Sequence, residues 1–201
     1  MRVRDGIFLT VLVVVCTAAP ARAQWLITPY LGMNLAGDAE FRRGGPGLSG
    51  GYFGDRLGFE FDVKRYHHFF KDRNIDLIPN NCVSGVRPSC IDLNTDAWGF
   101  MGNVLAPIGS KGAKWRPYGT AGLGVIHAWV EGPGDQYDVE QDNLALNVGG
   151  GMMYSLNKRV GLRGDLRYFR AFVDEDKREG GYFKDYGFLR ASFGVTFGFP
   201  R

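Results

Sequence analysis

Period-two alternation with charge confined to one face limits this chain more than any other feature. Between Leu57 and Lys64, the residues Leu57, Phe59, Phe61 and Val63 interleave with Gly58, Glu60, Asp62 and Lys64. Successive side chains of a β-strand point to opposite faces, so such a segment carries hydrocarbon on one side and ions on the other. A helix would group its apolar residues three and four apart. The pattern returns at 160–168, where Val160, Leu162, Leu166 and Tyr168 oppose Arg163, Asp165 and Arg167. With 30 glycines spread along 201 residues, long helices are disfavoured as well. Eight segments read as strands, near 25–36, 46–54, 57–68, 95–106, 116–130, 142–156, 160–173 and 185–199.

The connections between these segments are unequal in an ordered way. Asp55-Arg56, the stretch from Pro107 to Trp115, and Asn157-Lys158-Arg159 are short, whereas 37–45, 69–94, 131–141 and 174–184 are longer and polar. An even number of strands puts the short turns on one side and the long loops on the other, as in bacterial outer-membrane barrels. Strand lengths agree, since a tilted membrane strand needs about 9–11 residues to cross the apolar layer.

Residues 1–23 read as an export signal, with Arg2 and Arg4, an apolar run from Ile7 to Val15, and Ala21-Arg22-Ala23 as a small-x-small cleavage site. Thr17, Pro20 and Arg22 interrupt the run before the ~20 residues a membrane helix requires. Cys16 follows Val15 and leaves with the signal, so the mature chain is expected to be one barrel domain, 24–201. Removing Arg2, Arg4, Arg22 and Asp5 from 24 basic and 21 acidic residues leaves 21 and 20. Such neutrality argues against a nucleic-acid partner. In an oxidising compartment Cys82 and Cys90, close together in a polar stretch, are expected to form a disulfide.

An eight-stranded barrel has an interior just wide enough to be filled by side chains. Placing Phe59, Phe61, Trp98, Phe100, Phe193, Phe197 and Phe199 all inside would overfill it. The expectation is therefore an inverted barrel. Glu60, Asp62, Lys64, Arg163, Asp165, Arg167 and Arg190 form a charge network in the lumen, and Phe59, Phe61, Phe193, Val195, Phe197 and Phe199 face lipid. Trp25, Tyr30, Trp115, Tyr118, Trp129 and Tyr154 are expected near strand ends, in belts at the headgroups.

The last strand alternates Leu189, Ala191, Phe193, Val195, Phe197 and Phe199 with Arg190, Ser192, Gly194, Thr196 and Gly198. On these residues the chain resembles the small eight-stranded outer-membrane β-barrel family of Gram-negative bacteria, over nearly all of its mature length. Members resemble one another in an export signal, glycine-rich alternating strands and an aromatic-rich final strand read by the barrel-insertion machinery. The resemblance implies an all-β, antiparallel up-and-down transmembrane barrel in the bacterial outer membrane, in contact with its lipid and lipopolysaccharide. Pro200-Arg201 after Phe199 departs from the commonest ending.

No catalytic, cofactor or metal site is expected. Some barrels of this shape are lipid A deacylases, which resemble one another in a His-x-Ser pair supported by a carboxylate. Here His127 is followed by Ala128 and Trp129, and His67-His68-Phe69 also lacks the serine. His67 and His68 are neighbours on one strand and diverge, which disfavours joint metal binding. Gly149-Gly150-Gly151 lacks the lysine-serine ending and following helix of a phosphate loop. Among the loop charges, Arg42, Arg43, Lys71, Arg73, Arg87, Lys177 and Arg178 lie with Asp72, Asp174, Glu175, Asp176 and Glu179. A basic rim of this kind suits lipopolysaccharide phosphates or a host or envelope polyanion. The sequence thus favours a non-enzymatic barrel with a blocked lumen, serving envelope integrity or surface recognition and adhesion. A lipid A-modifying enzyme, a narrow pore and a soluble lipocalin-like carrier remain the alternatives.

Overall fold

In the computed structural model, residues 24–39, 44–67, 69, 94–109, 113–131, 139–172 and 185–199 are described. The expected signal 1–23, Cys82, Cys90, His68 and the loop charges just named lie outside them. Eight strands form: β1 (Gln24–Gly37), β2 (Gly44–Phe53), β3 (Gly58–Tyr66), β4 (Asn94–Pro107), β5 (Trp115–Glu131), β6 (Val139–Ser155), β7 (Val160–Phe172) and β8 (Tyr186–Phe199). Each is antiparallel to the next, and β1 pairs with β8 to close the barrel. Closure leaves no strand edge unpaired. Side-chain burial alternates as the sequence alternates: Leu26, Thr28, Tyr30 and Asn34 of β1 are buried, while Trp25, Ile27, Leu31 and Met33 are exposed.

Two of the short turns are closed by backbone bonds. Gly54 N–H donates to the Leu57 carbonyl at 3.1 Å, and Leu156 N–H to Val160 at 3.0 Å. Asn157 Oδ1 accepts from the N–H groups of Arg159 and Val160, both at 2.8 Å, an Asx turn that reverses the chain within a few residues. At the opposite end Gly37 has φ 103°, and a Cβ there would sit 2.2 Å from the Gly187 carbonyl. Only glycine fits that close approach. Asp38 then locks the corner, its N–H donating to the Gly187 carbonyl and its carboxylate accepting from Gly187 N–H, each at 2.8 Å.

The interior is layered. At the turn end Leu26, Phe53, Leu105, Tyr118 and Met153 form an apolar seal. Charged and amide side chains occupy the middle. At the loop end Tyr66, Phe69, Phe169, Tyr186 and Phe188 pack with Ala97, Met101 and Ile126. Phe69 lies beyond the end of β3 and is fully buried, with ring centroids 4.9 Å from Tyr66 and 5.2 Å from Phe188.

Tyr30 and Tyr118 depart from expectation: at 8 % and 2 % exposure they are interior residues and belong to no belt. Strand parity decides this, since Tyr30 shares the inward face of Thr28 and Tyr118 that of Thr120. Space comes from the partners across the ladder. Tyr30 pairs with Gly47 and Gly194, and Tyr118 with Gly151.

Candidate functional site

Facing walls of the barrel supply the ions at its centre. β3 contributes Glu60, Asp62 and Lys64; β7 contributes Arg163, Asp165 and Arg167; β8 contributes Arg190. Spacing by two keeps each set on the inward face. Glu60 bridges two guanidinium groups, accepting from Arg163 and, at 2.9 Å, from Arg167. Asp165 pairs with the same two arginines, at 3.0 Å and 2.8 Å. The Tyr118 hydroxyl donates to Asp165 at 2.5 Å and accepts from Arg163 Nε at 2.7 Å. Asn147 donates to Asn103 at 2.7 Å, and Asn103 donates on to Glu60 at 3.3 Å.

Nearer the loop end, Arg190 donates to Asp62 at 3.1 Å and to the Tyr66 hydroxyl at 3.3 Å. Its guanidinium lies over the rings of Phe169, 4.7 Å from the centroid, and Tyr30, 5.3 Å away. Lys64 forms no ion pair among the described residues; its ammonium donates to the carbonyls of Gly32 at 2.9 Å and Gly45 at 2.7 Å. The structure thus places all seven expected charges inside, in two ion-pair groups with Lys64 apart. Tyr66, Asn103, Tyr118 and Asn147 join them as members not expected from the sequence. The inward parity of β4, shared by Met101, Asn103 and Leu105, was the available signal for Asn103.

Gly151 makes the central network possible. A Cβ there would lie 2.3 Å from the Tyr118 hydroxyl, displacing it from Asp165 and Arg163. Gly151→Ala is expected to cost ~1–3 kcal/mol, as overpacking in close-packed interiors does. Gly119→Ala, where a Cβ meets nothing within 4 Å, is expected to change stability by less than ~0.5 kcal/mol. Urea unfolding of the two refolded variants compares them.

The outer wall is apolar on every side. Phe59, Phe61, Phe193, Phe197 and Phe199 are exposed, joined by Leu31, Leu48, Leu123, Leu144, Val148 and Leu166. Val195 points the same way and is half-buried. A water-soluble monomer exposes apolar patches of only a few hundred Å², far less than a band around a whole barrel. Two aromatic girdles border the band. At the turn end Trp25 meets Tyr52 edge-on, centroids 6.2 Å apart, and Trp115 meets Tyr154 at 4.4 Å. At the loop end stand Trp98 and Trp129. From Trp115 to Trp129 the wall rises roughly 35 Å at ~3.3 Å per residue and ~40° tilt, an apolar layer with a headgroup zone on each side.

Polar groups enter the outer wall at the loop-end girdle. Asp96 accepts from Arg65 at 3.2 Å and pairs with His67 Nδ1 at 3.1 Å, while His127 Nδ1 pairs with Asp142 at 2.8 Å. A histidine oriented by a carboxylate is half of a nucleophile-activating set. The outward residue two positions along from His127 is Trp129, so the hydroxyl such chemistry needs is missing from that place. Among the described residues no group of three His, Cys, Asp or Glu side chains gathers as a metal site. Gly149 to Gly151 lie within β6 and form no loop.

A closed barrel with an oily exterior, paired ions inside and girdles at both rims defines an integral protein of the bacterial outer membrane. The chain belongs to the outer membrane protein beta-barrel domain family, whose model matches residues 7–199. No curated protein sequence matches it. Among solved structures it is similar to Neisserial surface protein A, with 19 % identity and TM-score 0.56, covering 89 % of this chain and 96 % of that one. The N-terminal β-barrel domain of Pseudomonas aeruginosa OprF is similar at 19 % identity and TM-score 0.53, covering 88 % and 97 %. A major outer membrane protein from Thermus thermophilus shares 14 % identity at TM-score 0.57, covering 87 % and 99 %. At these identities the likeness is one of fold. In bacterial outer-membrane barrels short turns are periplasmic and longer loops external.

Proposed function

We propose that this protein is a non-enzymatic outer-membrane barrel whose lumen is blocked, and that it serves envelope integrity or surface recognition through its external loops. The observation that carries the reading is the packing of the described interior, from the Leu26–Phe53–Leu105 seal through the Glu60–Arg163–Arg167–Asp165 network to Phe69. The cavity beside Glu60 and Arg163 has a volume of about 10 Å³, room for about one water molecule. Within the described lumen Glu60, Asp62 and Asp165 are paired with Arg163, Arg167 and Arg190, which supports a tube without a continuous aqueous path. Lipid and lipopolysaccharide are the surroundings of the wall, the insertion machinery reads β8, and a host or envelope ligand meets the loops.

Planar-bilayer recording tests the reading. The purified barrel is expected to give no steady unit conductance. Stable channels that change on Glu60→Ala or Arg163→Ala substitution would overturn it in favour of a narrow pore. Mass spectrometry of lipid A from cells with and without the protein provides the second check. Identical acyl patterns are expected, and a lost acyl chain would make the protein a lipid-modifying enzyme.

A further inference from the structure

The two rims of the barrel carry opposite charge among the described residues. On the loop side the described charged residues are Asp38, Asp96, Glu140, Asp142 and Asp185, with Arg65 and Arg170. On the periplasmic side Arg56, Lys114, Arg116, Lys158 and Arg159 face only Asp55. Arg116 is held inward, donating to the Gly54 carbonyl at 3.2 Å and lying 4.6 Å from the Phe53 ring centroid. The other four cations are exposed, and none forms an ion pair with a described carboxylate. Their backbones are anchored nonetheless. The Lys114 carbonyl accepts from Ser155 N–H at 2.8 Å, that of Arg159 from Gly198 N–H at 2.6 Å, and that of Lys158 from the Gln24 side chain at 3.1 Å.

Each turn also exposes one large aliphatic side chain beside its basic residues: Leu57 at 53 %, Ile108 at 60 % and Leu156 at 54 %. A soluble polyanion would be met by charge alone. Cations together with hydrocarbon, directly under the Trp25, Tyr52, Trp115 and Tyr154 girdle, match a surface where phosphate lies over acyl chains.

We propose that the three turns form a collar that binds anionic phospholipid headgroups of the periplasmic leaflet: Arg56, Lys114, Lys158 and Arg159 engage phosphate, and Leu57, Ile108 and Leu156 dip into the acyl boundary. The collar fixes the depth and tilt of the barrel from below, independently of any loop ligand.

Native mass spectrometry of the full mature chain, folded in detergent with equal phosphatidylglycerol and phosphatidylcholine of matched acyl chains, tests this. Wild-type protein is expected to retain phosphatidylglycerol with about tenfold preference, in line with the pull of basic clusters on anionic lipid, and the preference should fall with salt. The combined Arg56→Gln, Lys114→Gln, Lys158→Gln and Arg159→Gln variant is expected to fall to near parity while still migrating as a heat-modifiable barrel. Arg65→Gln with Arg170→Gln, at the other rim, is expected to keep the wild-type preference. If the fourfold variant does not fold, Arg56→Gln with Lys114→Gln and Lys158→Gln with Arg159→Gln, made separately, are each expected to lose part of the preference. Parity in wild-type protein, full preference in the turn variants, or loss of preference in the outer-rim variant would each overturn the proposal.

Discussion

Glu60→Ala is expected to lower the unfolding free energy of the refolded barrel by ~3–5 kcal/mol, the cost of stranding buried charge. Glu60 joins two guanidinium groups whose side chains are 5 % and 2 % exposed, and its own is 4 % exposed. Arginine keeps its charge in proteins, so neither partner escapes by losing a proton. The described lumen holds four cations against three carboxylates: Lys64, Arg163, Arg167 and Arg190 against Glu60, Asp62 and Asp165. Removing one carboxylate leaves Asp165 alone between Arg163 and Arg167 and leaves Asn103 Nδ2 without its acceptor. If stranded charge is the cause, taking away a cation as well should restore stability. Glu60→Leu with Arg163→Met keeps the Arg167–Asp165 pair, 2.8 Å apart, and is expected to cost less than Glu60→Ala alone, a non-additivity typical of contacting residues. Urea titration in lipid vesicles reads both variants. A Glu60→Ala loss under ~1 kcal/mol, as for a solvent-screened pair, would mean that water reaches the network freely.

Much of this architecture is legible in the sequence because one rule, alternation with a period of two, specifies both walls of the barrel at once. Where lipid lies on one side and paired ions on the other, as along Phe59 to Asp62 or Arg163 to Arg167, the pattern is unambiguous. It fades where the wall rises above the membrane. β6 begins at Val139, three residues before the sequence suggests, because Glu140 and Gln141 continue the ladder opposite Trp129 and Ala128 in a region where neither face needs to be oily. Tyr30 and Tyr118 misled for a related reason. An amphipathic ring suits a headgroup belt and a packed lumen equally, and only its parity, together with the glycines across the strand, chooses between them. Phe69 could not be placed at all, since it plugs the tube from beyond its strand and no periodicity reaches it. The His127–Asp142 pair depends on register between two strands, which single-strand patterns leave open.

Leu123→Arg carries the second large effect expected. Leu123 lies on the outward face of β5 between the girdles marked by Trp115 and Trp129, is 63 % exposed, and pairs with Gly102 and Leu146 on either side. In water an exposed leucine on a strand accepts arginine with a change within about ±0.5 kcal/mol. In the middle of a bilayer the same substitution costs ~2–4 kcal/mol, falling to ~0–1 kcal/mol near the interfaces. The expected result is therefore a gradient. Leu123→Arg and Phe193→Arg should be strongly destabilised in vesicles, while Ile108→Arg, in a periplasmic turn, should be nearly neutral. No contact within the protein accounts for such a gradient, since all three side chains point away from it and make their remaining contacts with the surrounding medium. Equal, small effects at all three positions, with Phe59 and Phe193 unlabelled by a photoprobe confined to the lipid phase, would show that the oily wall does not face acyl chains.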